Sequence, residues 1–288
     1  MPIPQTRRLG ILLVLASAVM WSTAGLFVRM ADLDVWSMVG WRSLFSALVL
    51  GACLGLRGRS PGAEFGLSGL ASALLGTLGA VTYVMSLSWT SVANVMTIYA
   101  TLPFATTLIA WLWLRERVTA RFVAAGLVAF LGVTVTVGAA FAPRDLMGIV
   151  AALVMMLTFA GQLVLSRRYP RMDTLAMILA SSVLSLLAAL PFMQPALPSA
   201  HALTACALYG AISTGLGYVL VLLGSRIVGA GEAGLLSMLD VVLGPIWVWL
   251  AYDERIGPAT ALGGGTVLLA MLWYLAGEAR RPAASVAP

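Results

Sequence analysis

The stretch LGILLVLASAVMWSTAGLFVR, residues 9–29, decides the fold, because its counterpart MGIVAALVMMLTFAGQLVLSR stands at residues 147–167. Each is a nearly uncharged apolar run ended by an arginine, and about 20 such residues are what a helix needs to cross a bilayer. Sliding the sequence along itself until these stretches coincide brings Gly10-Ile11 onto Gly148-Ile149 and Arg29 onto Arg167. Without a gap, the same shift carries Leu78-Gly79 onto Leu216-Gly217, Trp111-Leu112 onto Trp249-Leu250 and Glu116-Arg117 onto Glu254-Arg255. Apolar matches are cheap in so biased a composition, but a register unbroken from the first run to the loop before the last points to a duplication. The mid-chain copy also disposes of another reading. Arg7-Arg8, the apolar run and Ala16-Ser17-Ala18 imitate a secretory signal, yet the run continues to Val28 and its counterpart lies where no signal peptide could be.

Composition agrees. Of 288 residues, 61% are apolar and 10% charged, and the mean hydropathy of +0.99 does not describe a water-soluble domain of this length. Apolar runs place membrane helices at 9–28, 36–56, 67–88, 92–113, 120–141, 146–166, 174–194, 203–224, 230–251 and 258–277. Ten helices use almost the whole chain and leave no room for a soluble catalytic domain. All 17 basic residues are arginine and sit mostly in short loops between apolar runs, which argues for membrane orientation and against nucleic acid. With the N-terminus inside, Arg7, Arg8, Arg57, Arg59, Arg115, Arg117, Arg121, Arg167, Arg168, Arg171, Arg226, Arg280 and Arg281 are cytoplasmic, 13 in all, against three outside, Arg29, Arg144 and Arg255. Adding or removing one helix would scramble this positive-inside bias. Each half, 1–147 and 148–288, carries five helices. Five is odd, so the second half enters the membrane in the opposite orientation. The expectation is an all-α membrane protein: ten transmembrane helices in two inverted five-helix repeats, with both termini cytoplasmic.

Against that frame, Arg42 in the second span, Pro103 in the fourth, Glu116 after it, and Pro245 with Glu254 in the second half resemble the drug/metabolite transporter superfamily, specifically its EamA-type branch. The resemblance covers Gly10 to about Gly277. It implies movement of small molecules, often export of amino acids or related metabolites, through a cavity lined mainly by spans one to four and six to nine. One departure is visible. Pro245 sits four residues past the strict counterpart of Pro103, so the two proline kinks, which would bend corresponding helices of the two halves, need not be symmetric.

Polar residues at mid-depth are candidates for a site, because hydrocarbon supplies no hydrogen-bond partner. Arg42 and Asp240 each carry an insertion cost of about 2.5 to 3.5 kcal/mol, and simple rise arithmetic puts their depths roughly 6 Å apart. They are either a buried ion pair or separately bonded packing residues, and Asp240 is in addition a candidate for a proton or a cationic substrate group. Trp21, Tyr83, Tyr99 and Tyr218 fall near the middle of spans one, three, four and eight, where a phenol or indole needs a partner that a cavity or a packed helix supplies. Gln162 adds an amide, with Phe159 one turn away. Trp36, Trp89, Trp113, Trp273 and Tyr274 suit interfacial belts, as Glu116 and Glu232 suit span ends. Spans five and ten, polar only at Thr134, Thr136 and Thr266, are expected as scaffold, with Gly126, Gly132, Gly138 and Gly263-Gly264-Gly265 allowing close approach.

Enzyme chemistry finds no constellation. Cys53 and Cys206 lie in apolar runs and His201 at a helix start; no metal-ligand cluster, phosphate loop or paired membrane carboxylates occur, so no cofactor is expected. An aromatic lining with one cation and one anion suits neutral or zwitterionic molecules with an apolar body. Amino acids, aromatic ones included, exported across a bacterial inner membrane are the expected cargo. Nucleobases or cationic amphiphiles are the alternative, and a passive channel a further one. The expected partners are the small-molecule substrate and the lipid bilayer, with a monomer expected and a dimer the alternative.

Overall fold

The structure, a computed structural model, describes residues 5–57, 65–115, 120–138, 143–169, 171–228, 236–237 and 239–279. Among these the regular elements are all helical, since backbone polar groups in hydrocarbon must be satisfied within the segment. Seven helical stretches are long and apolar enough to span: Arg8–Ala31, Val35–Leu56, Gly66–Trp89, Val92–Trp113, Asp145–Leu165, Thr174–Phe192 and Ala200–Val221. The expected spans five, nine and ten are the helices Ala120–Gly138, Leu239–Tyr252 and Pro258–Ala279. Glu116, Glu232, Arg59, Arg117, Arg280 and Arg281 lie outside the described residues.

Labelled in chain order, the helices are α1 (Gln5–Ser22), α2 (Ala24–Ala31), α3 (Val35–Arg57), α4 (Gly66–Trp89), α5 (Val92–Tyr99), α6 (Leu102–Leu114) and α7 (Ala120–Gly138) in the first half. The second half holds α8 (Pro143–Arg168), α9 (Thr174–Ala189), α10 (Ala200–Leu208), α11 (Gly217–Val228), α12 (Leu239–Tyr252) and α13 (Pro258–Ala279). A π-helical segment, Tyr209–Leu216, joins α10 to α11.

Among the described residues, three expected spans are interrupted in mid-course. The first breaks at Thr23, where the hydroxyls of Ser22 and Thr23 bond the carbonyls of Val19 and Met20 at 2.7 and 2.6 Å, local bonds that compete with the helical ladder. Trp247 of α12 donates to Ser22 Oγ at 2.8 Å and pins the break from the other half. The fourth breaks at Ala100-Thr101, so Pro103 lies in the first turn of α6, where its missing N–H costs nothing. Pro245, by contrast, lies inside an unbroken α12. The eighth span is rewound into the π-helix.

Packing shows how the halves fit. Span three lies on six, and span one on eight; two lies on seven, four on nine, five on ten. Under exchange of the halves the first two contacts map onto each other and the last three onto themselves. All five join one half to the other, so the halves interlock and their shared surface is the core. Close approach needs small residues: a Cβ on Gly79 would stand 2.8 Å from Thr158 Oγ1, and one on its counterpart Gly217 2.8 Å from Trp21. Arg115 and Asp253, which the repeat superimposes, both close their helices in the left-handed conformation, at φ 55° and 50°. The chain is an all-α membrane protein built as two inverted five-helix repeats.

Spans five and ten pack on each other, with Arg121 over the Trp273 ring at 4.4 Å and Gly132 beside the Gly263 carbonyl. The cap of α10 is Ser199, whose side chain accepts from Ala202 N at 3.2 Å, and His201 is exposed. Cys206 is buried beside Met38, and Cys53 is exposed on the bundle surface.

Candidate functional site

Where the two halves interlock lies a cavity of about 110 Å³. Trp21, Arg42, Tyr83, Tyr99, Phe159, Gln162, Tyr218 and Asp240 all line it. Pro103 and Pro245 do not; Pro245 borders a small crevice beside Val92 and Glu254.

Aromatic rings form one wall. Trp21 lies 5.1 Å from Tyr218 and 6.2 Å from Phe159, which in turn lies 6.3 Å from Tyr99 and 6.3 Å from Tyr218. Trp21 and Phe159 are equivalent positions of the two repeats, so the duplicated residue meets its own counterpart at the centre of the bundle. Such edge and offset contacts contribute about 0.5–1.5 kcal/mol per pair beyond area burial. Gln162, 6% exposed, donates to the Ser72 carbonyl at 3.2 Å and thereby ties span six to span three.

Of the two arrangements that their depths allowed, the ion pair does not form. Arg42 and Asp240, 3% and 4% exposed, share no ion pair among the described residues. Arg42 Nη1 instead donates to Thr214 Oγ1 at 3.1 Å, Nη2 points at the Ala80 carbonyl at 3.4 Å, and the guanidinium sits 5.0 Å from the Tyr209 ring centroid. The reason lies in the π-helix, which widens the turn and brings Tyr209 and Thr214 to one side of Arg42. Gly210 makes this possible, because a Cβ there would run into the Arg42 carbonyl and stand 2.8 Å from Ser46 N. Among the described residues, four cavity atoms are buried without a hydrogen-bond partner: Arg42 Nε, Trp21 Nε1, Tyr209 Oη and Asp240 Oδ1.

Sequence reasoning missed Tyr209, Thr214 and the serines of span seven, Ser181, Ser182 and Ser185. Tyr209 obeys the rule that selected the other phenols, but its span begins at Ala200, three residues earlier than expected, which moves it inward. The serines at i and i+4 share a helix face, a signal present in the sequence.

Above the cavity, toward Arg29, the bundle is closed. Val92 and Val248, each 1% exposed, meet Gly25, whose Cβ position is 2.7 and 3.4 Å from them. Over this plug Arg29 Nε donates to Glu254 Oε2 at 2.9 Å, Nη1 to the Leu87 carbonyl at 2.7 Å and Nη2 to the Thr90 carbonyl at 3.2 Å. Glu254 Oε1 accepts from Val92 N at 3.1 Å. The left-handed Asp253 turns the chain so that Glu254 faces back. One seam therefore joins spans one, three, four and nine, and places residues 29, 90 and 254 on one face, as the helix count requires.

The sequence profile of the EamA-like transporter family matches residues 8–138 and again 146–276. No curated protein matches the chain. A solved structure, described only as "Crystal structure of protein", is similar in fold, with a TM-score of 0.69 and 21% identity over 94% of this chain and 99% of its own.

Proposed function

From the premise that the chain belongs to the EamA-like transporter family, and is thus a membrane transporter of small molecules, we propose that it exports amino acids, aromatic ones included, by alternating access. The observation that carries this reading is the cavity: aromatic rings from both halves on one wall, and a cation and an anion, not paired with each other, on the others. A molecule with an apolar body and both charges satisfies all three; a nucleobase leaves both charges unmet, and a cationic amphiphile leaves Arg42 so.

Alternating access is supported by the closed seam at Arg29, which shuts one face of the bundle over the cavity. The breaks in spans one and four and the π-helix of span eight are where the backbone can yield, and the inverted repeat gives each half a partner that closes the other face. Asp240 is the carboxylate in position to carry coupling; with no chain of membrane carboxylates in the sequence to cross the bilayer, the reading is facilitated diffusion or weak proton exchange rather than a relay. In this reading the membrane is a bacterial inner membrane, and the arginine distribution supports both termini being cytoplasmic.

Purified protein in liposomes tests the proposal. Saturable uptake and counterflow of amino acids, without steady conductance, is expected. Transport of purines or cationic drugs with none of amino acids above empty liposomes refutes the cargo, and a steady conductance refutes the carrier.

A further inference from the structure

Arg42 and Asp240 line one cavity, both almost wholly buried, yet the fold keeps them apart. Two opposite charges in a low-dielectric interior attract strongly, and leaving either unpaired is costly. Here the separation is built in. Thr214 and the Tyr209 ring, both on the π-helix, hold the guanidinium to one side, and Gly210 lets that segment lie against the Arg42 backbone. The unused hydrogen-bonding capacity is sorted by kind. Arg42 Nε and the Tyr209 hydroxyl are donors on neighbouring side chains, whereas Asp240 Oδ1 is an acceptor without a partner. Trp21 Nε1, a third free donor, borders the same space from the aromatic wall.

We propose that the substrate bridges these two groups as a zwitterion of fixed polarity: its carboxylate is held by Arg42 Nε and the Tyr209 hydroxyl, and its ammonium by Asp240 Oδ1. This rests on the amino-acid reading and adds to it which end of the molecule meets which residue. An α-amino acid carries its two charged groups about 3 Å apart, and with a charge-assisted hydrogen bond at each end it holds its partners about 8 Å from one another. That is beyond direct ion-pair reach, in keeping with two charges that line one cavity without pairing. The side chain then falls to Trp21, Phe159 and Tyr218. Carboxylate and ammonium each neutralise a buried charge, so a molecule lacking either leaves one uncompensated.

Three probes read this polarity in the purified full-length protein: L-phenylalanine, 3-phenylpropanoate, which lacks the ammonium, and 2-phenylethylamine, which lacks the carboxylate. Asp240→Asn is expected to weaken phenylalanine and phenylethylamine by about tenfold and leave phenylpropanoate within about twofold. Tyr209→Phe, which keeps the ring under Arg42, is expected to weaken phenylalanine and phenylpropanoate by about fivefold and spare phenylethylamine. Should Asp240→Asn fail to fold, the Tyr209→Phe pattern decides alone. Binding that falls equally for all three probes in the folded variants, or the reverse pattern, overturns the polarity while leaving the amino-acid reading intact. Wild-type protein that binds none of the three overturns both.

Discussion

Glu254→Gln removes the negative charge from the seam that closes the Arg29 face while keeping the shape of the side chain. Arg29 and Glu254 have side chains 26% and 23% exposed, so their pairing lies between two regimes. Exposed pairs are worth about 0–1 kcal/mol, and breaking a fully buried pair costs about 3–5 kcal/mol. Arg29 keeps its two carbonyl partners, Leu87 and Thr90, after the substitution. The loss is therefore about 2 kcal/mol, between those limits and typical of one hydrogen bond to a charged group. The seam joins elements of both halves, so this energy is lost from the closed state, and the ratio of open to closed rises by about thirtyfold. Ala93, 8% exposed and beside Glu254 in the crevice below the seam, supplies the reporter. With Cys53 and Cys206 replaced by serine, the rate at which a membrane-impermeant thiol reagent labels Ala93→Cys should rise by a similar factor in the Glu254→Gln background. An unchanged labelling rate in protein that is folded and inserted would show that the seam does not hold this face shut.

Other perturbations act elsewhere in the same machine. Gly210→Ala pushes a methyl group against the Arg42 carbonyl and should cost about 1–3 kcal/mol, measured as a lower unfolding midpoint in detergent; wild-type stability would mean that spans two and eight are not in close contact there. Pro103→Ala lets α5 and α6 join into one helix, and Pro245→Ala restores a backbone donor in α12; transport should slow while substrate binding is kept, and wild-type rates in both would reduce the prolines to shaping static helices. Asp240→Asn should flatten the dependence of transport on pH, and a profile that keeps its wild-type shape would assign Asp240 to substrate binding or packing alone.

Span count, inversion and the identity of eight cavity residues were legible in the chain, because each follows from a rule read along the sequence. Hydrocarbon demands about 20 apolar residues per crossing, an odd number of crossings per repeat turns the second copy over, and a phenol, amide or carboxylate at mid-depth must face something other than lipid. Those rules picked out Trp21, Tyr83, Tyr99, Gln162, Tyr218, Arg42 and Asp240, with Phe159 one turn from Gln162, and the fold gathers them around one space. Pairing was not legible. Similar depth allowed an Arg42–Asp240 ion pair, but depth fixes one coordinate only, and the rotation of each helix about its axis is set by neighbours distant in sequence. Span eight unwinds into a π-helix where Gly210 seats it on span two, and that unwinding gives Arg42 to Thr214 and Tyr209 instead of Asp240. The break at Thr23 was hidden for the same reason: its hydroxyl bonds are local, but the Trp247 indole that bonds Ser22 comes from the far end of the chain. Sequence by itself determined that these eight residues gather away from the lipid; only tertiary packing decided which of them meet, and which others join them, because close approach between helices depends on both surfaces at once.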